Sequence, residues 1–115
     1  GDISARYDLM NTLMTGGRHH AWRKAAARAL VRPGDAVLDV GCGTGDLSFA
    51  CLGAGAGFVF GIDFARPMVV RARHKAIERR AGIVSFGVGD ATRLPVADGT
   101  FDVWCSAFVV QARKP

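Results

Sequence analysis

Apolar residues recur along this chain with two different periods, and the switches between them mark the predicted elements. Leu9, Met10, Leu13 and Met14 fall at helical spacing, and Gly16-Gly17 then interrupts the pattern. Trp22, Ala25, Ala26, Ala29 and Leu30 next keep an i, i+3, i+4, i+7, i+8 face, with Arg23, Lys24, Arg28 and Arg32 on the opposite side. This predicts an amphipathic helix packed on a sheet with a solvated basic face, and contact of that face with anionic lipid is the sharper alternative. Pro33-Gly34-Asp35 reads as a turn. Val37, Leu38 and Val40 form a short β-branched run suited to a strand covered on both faces. Residues 47 to 52 suit a helix that has Asp46 in its first turn, where a carboxylate is favoured.

Phe58, Val59, Phe60 and Ile62 predict a second strand closed by Asp63. A helix is expected over residues 68 to 81, with Pro67 at its first position, where a missing N–H costs nothing, and Gly82 as its stop. Arg71, Arg73, Lys75, Arg79 and Arg80 crowd that helix and are read mostly as a solvated face. Val84, Phe86 and Val88 alternate as a third strand, and Phe101 to Cys105 begin a fourth, with continuation to Val110 left open. Strands alternating with helices predict an α/β parallel sheet joined by right-handed crossovers, preceded by a helical segment over residues 1–32; residues 33–115 form the α/β domain. In such a sheet, ligand lies at the carboxyl edge where strand order reverses.

Candidate chemistry gathers at that edge. After the first strand, glycines occupy alternate positions 41, 43 and 45, and bare backbone of this kind lets a ligand approach the main chain. Dinucleotide sites favour G-x-G-x-x-G before a helix aimed at pyrophosphate. Here the third glycine arrives one residue early and Asp46 stands in place of the last, a poor neighbour for pyrophosphate. A ligand carrying an amino group, a sulfonium and a carboxylate would meet both the acid and the backbone N–H groups. Asp63, after the second strand, sits where a carboxylate accepts hydrogen bonds from a ribose cis-diol. Asp90 and Ala91 follow the third strand at the same edge, where a carboxylate and a backbone N–H offer an acceptor and a donor.

Composition narrows the class without naming a ligand. The 115 residues are half hydrophobic, enough for one core, and carry a formal net charge of +5, which is compatible with nucleic-acid or anionic-membrane contact but specifies neither. The pattern offers no basic groove interleaved with aromatics, so nucleic acid is not an expected partner. Apolar runs are too short to span a bilayer and no secretory pattern is seen, so a soluble, cytoplasmic protein is expected. Cys42, Cys51 and Cys105 lack C-x-x-C spacing, which argues against a disulfide framework or zinc site and for buried thiols; no metal is expected.

The D-x-G-x-G-x-G pattern of Asp39, Gly41, Gly43 and Gly45 resembles motif I of class I S-adenosylmethionine-dependent methyltransferases. Together with Tyr7-Asp8-Leu9-Met10-Asn11, Met14, Gly17, His19, Trp22, Gly61-Ile62-Asp63, Gly89-Asp90-Ala91, Leu94-Pro95 and Phe101-Asp102, it is similar to the ubiquinone/menaquinone biosynthesis C-methyltransferase family. The resemblance implies a Rossmann-like fold with strand order 3-2-1-4 and S-adenosyl-L-methionine as cofactor. It places Thr44, Asp63, Asp90 and Ala91 at cofactor-contacting positions. It further implies methyl transfer to a ring carbon of a lipophilic, polyprenylated quinol, with peripheral contact at the inner face of a membrane. The family continues with an Arg-Asn pair and about three more strands with their helices, so this chain is expected to hold the cofactor-binding half alone. Its fourth strand would then be an exposed edge suited to self-association.

Ionising the quinol hydroxyl would call for a base or a water relay. Tyr7, His19 and His20 are the nearby candidates, and none is named as the base. Three alternatives stay open: a cofactor-binding half-domain without turnover, a methyltransferase for another small molecule, and a dinucleotide-binding oxidoreductase.

Overall fold

The computed structural model describes residues 20–90 and 100–106. Helix α1, His20–Leu30, leads into β1, Ala36–Val40, then α2, Asp46–Gly53, and β2, Phe58–Asp63. Helix α3, Arg66–Glu78, β3, Val84–Val88, and β4, Val103–Cys105, complete the order. All strand pairs are parallel and the spatial order is β3-β2-β1-β4. This is the Rossmann-like arrangement expected. Strand β1 is central because its sequence allows it: Val37 and Leu38 point to opposite faces and both are fully buried.

The two faces are filled differently. On one, Trp22, Ala26 and Leu30 of α1 pack with Leu47 and Cys51 of α2, Val37, Val59, Val103 and Cys105 of the strands. Val69 and Ala72 of α3 extend this side over Phe86 and Cys42. On the other, Leu38, Ile62 and Phe101 form a smaller cluster with Ala36, Val40 and Phe60 against it. Each fully buried Val or Leu contributes about 1.5–3 kcal/mol, so among the described residues the first face holds the larger core, and α1 belongs to it. All three cysteines are free and buried. At the start of β4, Asp102 accepts a hydrogen bond from the Ala36 N–H at 2.9 Å and donates its own N–H to Ala36 O at 2.8 Å, which pins the strand's register.

Three local expectations shift. In α1 the Trp22–Ala26–Leu30 line is buried, but Ala27 and Val31 join it while Ala25 and Ala29 are exposed. Alanine methyls differ too little in apolar area to set the roll of a helix, and packing against α2 sets it instead. Helix α3 begins at Arg66 with its proline in the first turn and ends at Glu78, short of Gly82. Arg80 takes the left-handed conformation at φ 54°, and the Ala81 N–H donates to Ala76 O while the Arg80 N–H donates to Ile77 O. That pair of bonds is a Schellman stop, closed here by an arginine where glycine is usual. In β3 only Phe86 is buried; Val88 is 44% exposed because the strand lies at the sheet's edge. No helix among the described residues is long and apolar enough to cross a membrane.

Candidate ligand site at the carboxyl edge

Parallel register brings the ends of β1, β2 and β3 to one rim, as Val40 pairs with Ile62 and Asp63 with Val88. The loop after β1 is held there by main-chain bonds: the Gly41 and Cys42 N–H groups both donate to Ile62 O, at 2.8 and 3.0 Å. The Gly89 N–H donates to Asp63 O at 3.0 Å, so the turns after β2 and β3 are tied together. The loop at 41–45, Asp63 and Asp90 therefore sit at the same end of the sheet. Ala91, the remaining predicted contact, lies outside the described residues, as do Tyr7 and His19; of His20, only the helical backbone is described.

The three glycines have two distinct reasons to be glycine. Gly41, Gly43 and Gly45 all have positive φ, 67°, 56° and 90°. Among the described residues, a Cβ at Gly43 would meet nothing within 4 Å and one at Gly41 only Ser106 Oγ at 3.9 Å, so these residues leave open space above both. At Gly45 a Cβ would come 2.8 Å from Phe86 Cζ and 3.1 Å from Phe49 Cε2. The third glycine thus makes room for an aromatic pair, Phe49 and Phe86, whose rings meet edge to face at 5.8 Å.

The loop's donors are largely spent. The Gly43 N–H donates to Asp63 Oδ2 at 2.9 Å, and the Gly45 N–H to Cys42 O at 2.9 Å, in addition to the two bonds to Ile62. The expectation that loop N–H groups face the ligand therefore fails at residues 41, 42, 43 and 45, because the turn consumes them to hold its own shape. Asp63 is the half-buried hub of this network: its other oxygen, Oδ1, accepts from the Ala65 N–H at 2.8 Å. A carboxylate has about four lone-pair sites, so two backbone bonds leave it capacity to accept from a diol.

Asp39 lies beneath the loop and is fully buried. Ser48, in the first turn of α2, donates its hydroxyl to Asp39 Oδ2 at 2.6 Å, while Oδ1 is buried without a hydrogen-bond partner among the described residues. Burial pushes the Asp39 carboxyl up to about 7, against the lowering effect of the Ser48 bonds. Asp39 therefore supports the loop from below. Burial and the nearby Asp39 and Asp63 carboxylates likewise push the Cys42 thiol up to about 12, which leaves it inert.

Lys75 of α3 stands among basic residues expected mostly on a solvated face, yet its ammonium reaches back to the loop. It donates to Thr44 Oγ1 at 3.0 Å and to Asp46 Oδ1 at 2.9 Å. The Lys75 bond is the main cause holding Asp46 below the usual carboxylate range. Arg73 is also engaged, its guanidinium donating twice to Phe86 O at 3.0 and 2.8 Å. Since Ile83 O and the Gly89 N–H face β2, Phe86 O points to the open edge, and Arg73 caps it. Nothing in a helical run of basic residues distinguishes these two from their exposed neighbours. Only the crossing of α3 over the loop and β3 does so.

A parallel sheet of this order, with a glycine turn, a buried acid and a second carboxylate at its carboxyl edge, is the arrangement of a Rossmann-like, class I methyltransferase-like fold. Solved structures agree: the YcgJ protein from Bacillus subtilis aligns with TM-score 0.70 and 29% identity over 76% of this chain and 38% of its own. An S-adenosylmethionine-dependent methyltransferase from Mesorhizobium loti aligns with TM-score 0.57 and 28% identity over 81% and 41%. The chain belongs to the ubiE/COQ5 methyltransferase family, which it matches over residues 1–113. It is 41% identical to the ubiquinone/menaquinone biosynthesis C-methyltransferase UbiE of Methylobacterium nodulans, over 95% of this chain and 45% of that protein. Against the demethylmenaquinone methyltransferase of Alkalihalophilus pseudofirmus the identity is 44%, over 88% and 44%. The chain thus spans less than half the length of these curated relatives.

Proposed function

We propose that this chain binds S-adenosyl-L-methionine at the rim formed by residues 41–45, Asp63 and Asp90, as the cofactor half of a C-methyltransferase acting on a lipophilic quinol. The observation that carries this reading is the spent loop. With the N–H groups of residues 41, 42, 43 and 45 already bonded, the loop is poorly equipped to cradle a pyrophosphate and presents open space over Gly41 and Gly43 beside acids. That arrangement suits a ligand whose amino acid end is a donor, and it disfavours a dinucleotide. Asp63 takes the ribose hydroxyls, with Asp90 and Ala91 at the adenine. Gly41, Gly43 and Thr44 line the methionine end, while Gly45 and Asp39 act from behind by shaping and supporting the turn.

When bound, the cofactor supplies an electrophilic sulfonium methyl group for in-line transfer to a nucleophilic ring carbon. The chain's contribution is positioning, since reacting atoms held at roughly 3–3.5 Å gain most of the available rate. The reading carries a cytoplasmic location with peripheral contact at the inner membrane face. Binding and turnover are separable here, so a cofactor-binding unit without turnover is the second reading. Calorimetry decides the first point: S-adenosylmethionine is expected to bind, NAD is not, and Asp63→Ala is expected to weaken binding by about tenfold or more, the loss of charge-assisted bonds to a diol. Equal affinity of the variant, or tighter binding of NAD, refutes the assignment.

The same reading leaves β4 as the strand next to β1 with no further strand beside it among the described residues. Self-association through that edge is expected as a dimer in light scattering at high concentration. A strictly monomeric species refutes it.

A further inference from the structure

Thr44 is the residue of the glycine turn whose donors the fold has not consumed. The N–H groups of residues 41, 42, 43 and 45 are bonded within the protein, whereas the Thr44 N–H has no partner among the described residues. Its hydroxyl is engaged on one side: Oγ1 accepts from the Lys75 ammonium at 3.0 Å, across 31 positions of sequence. An ammonium is a donor only, so Thr44 gives it a lone pair and keeps its own O–H proton. Among the described residues no acceptor takes that proton. Within residues 41–45, Thr44 therefore offers both an N–H and an O–H to a ligand.

The charges nearby would oppose an anionic ligand group at that point. Asp46 follows two residues on, and Asp63 is bonded to the neighbouring Gly43 N–H at 2.9 Å. Lys75 offsets the first of these acids: its ammonium, on a side chain only 16% exposed, donates to Asp46 Oδ1 at 2.9 Å. That bond is the main cause holding Asp46 below the usual carboxylate range, with Arg23 and Arg79 contributing less, so Asp46 is ionised and matched by the lysine. Thr44 Oγ1 and Asp46 Oδ1 share one nitrogen and are therefore close neighbours. Removing Lys75 would leave the Thr44 proton beside a competing acceptor and expose the turn to an unmatched charge.

We propose, building on the nucleoside reading of the rim, that Lys75 is a positioning residue that makes the turn selective for a ligand with an amino acid end. It holds Thr44 as a double donor to the ligand's carboxylate and offsets the acid that would repel that group.

Calorimetry on the whole chain tests this with S-adenosylhomocysteine and with methylthioadenosine, a nucleoside thioether that lacks the amino acid end. The wild type is expected to prefer S-adenosylhomocysteine. Lys75→Met is expected to weaken that ligand by about tenfold and methylthioadenosine by less than about twofold, so the preference collapses. Thr44→Val keeps the branched shape, removes the hydroxyl and is expected to show the same selective loss, while Lys75→Arg, which keeps the charge, recovers part of it. If Lys75→Met loses both ligands together with its melting transition, Thr44→Val decides by the same criterion. Equal weakening of both ligands in a folded variant, no change in either, or a wild type without preference overturns the role of Lys75 and leaves the nucleoside site standing. A wild type that binds neither ligand removes the nucleoside site and this role with it.

Discussion

The carboxyl of Asp39 gives the sharpest physical test, because it is fully buried under the loop and titrates near 7 when its ordinary value is 3.8. A folded-state value above the unfolded one means that the native protein binds more protons between those two limits. Stability is therefore fully present below pH 3.8 and declines as pH rises through the window to about 7. A shift of this size is worth on the order of 4 kcal/mol at most. Asp39→Asn keeps the shape and the acceptor for Ser48 but removes the titration. Both proteins are followed by urea unfolding at pH 4 to 8, read by tryptophan fluorescence and circular dichroism. Near pH 4 the two should differ little beyond a fixed offset, and by pH 8 the difference should move in favour of the variant. With m near 2 kcal/mol per molar urea, each 2 kcal/mol moves the midpoint by about 1 M. Wild-type and variant curves that run parallel across this range refute the claim that Asp39 is buried and protonated in the folded protein.

Two further substitutions test the loop's supports. Lys75→Met removes the ammonium that joins Thr44 to Asp46; a stability loss of about 1 kcal/mol is expected in chemical unfolding, since the Asp46 side chain is 43% exposed. It should also weaken S-adenosylmethionine binding, and an unchanged affinity would show that the lysine does not order the loop. Gly45→Ala places a methyl 2.8 Å from the Phe86 ring at φ 90°, and overpacking with backbone strain should cost about 2–4 kcal/mol. Shortening Phe86 to leucine in the Gly45→Ala background should recover part of that loss in thermal melts; no recovery would remove the ring as the cause.

Much of this architecture was legible in the residues themselves. The β-branched run at Val37, Leu38 and Val40, the glycines that follow, and the acids after the second and third strands are all local signals, and each led to the element or turn the structure contains. Periodicity reads local geometry, and parallel pairing places successive strand ends at one edge without help from any particular contact. The roles of individual side chains were another matter. That Gly45 clears space for Phe86, that Lys75 holds Thr44 and Asp46, and that Arg79 stacks on Phe49 depend on how α3 crosses the loop. Those pairs lie far apart along the chain and are chemically unremarkable within their own segments. Arg80 ended a helix where Gly82 was the better local candidate, because the closing bonds to Ile77 and Ala76 set the stop. The local sequence pattern determined which strands form and which turns carry the glycines and acids, and the family resemblance supplied the strand order; packing decided which of those glycines have open space above them, which cations are engaged, and how far one buried acid is driven from its ordinary charge.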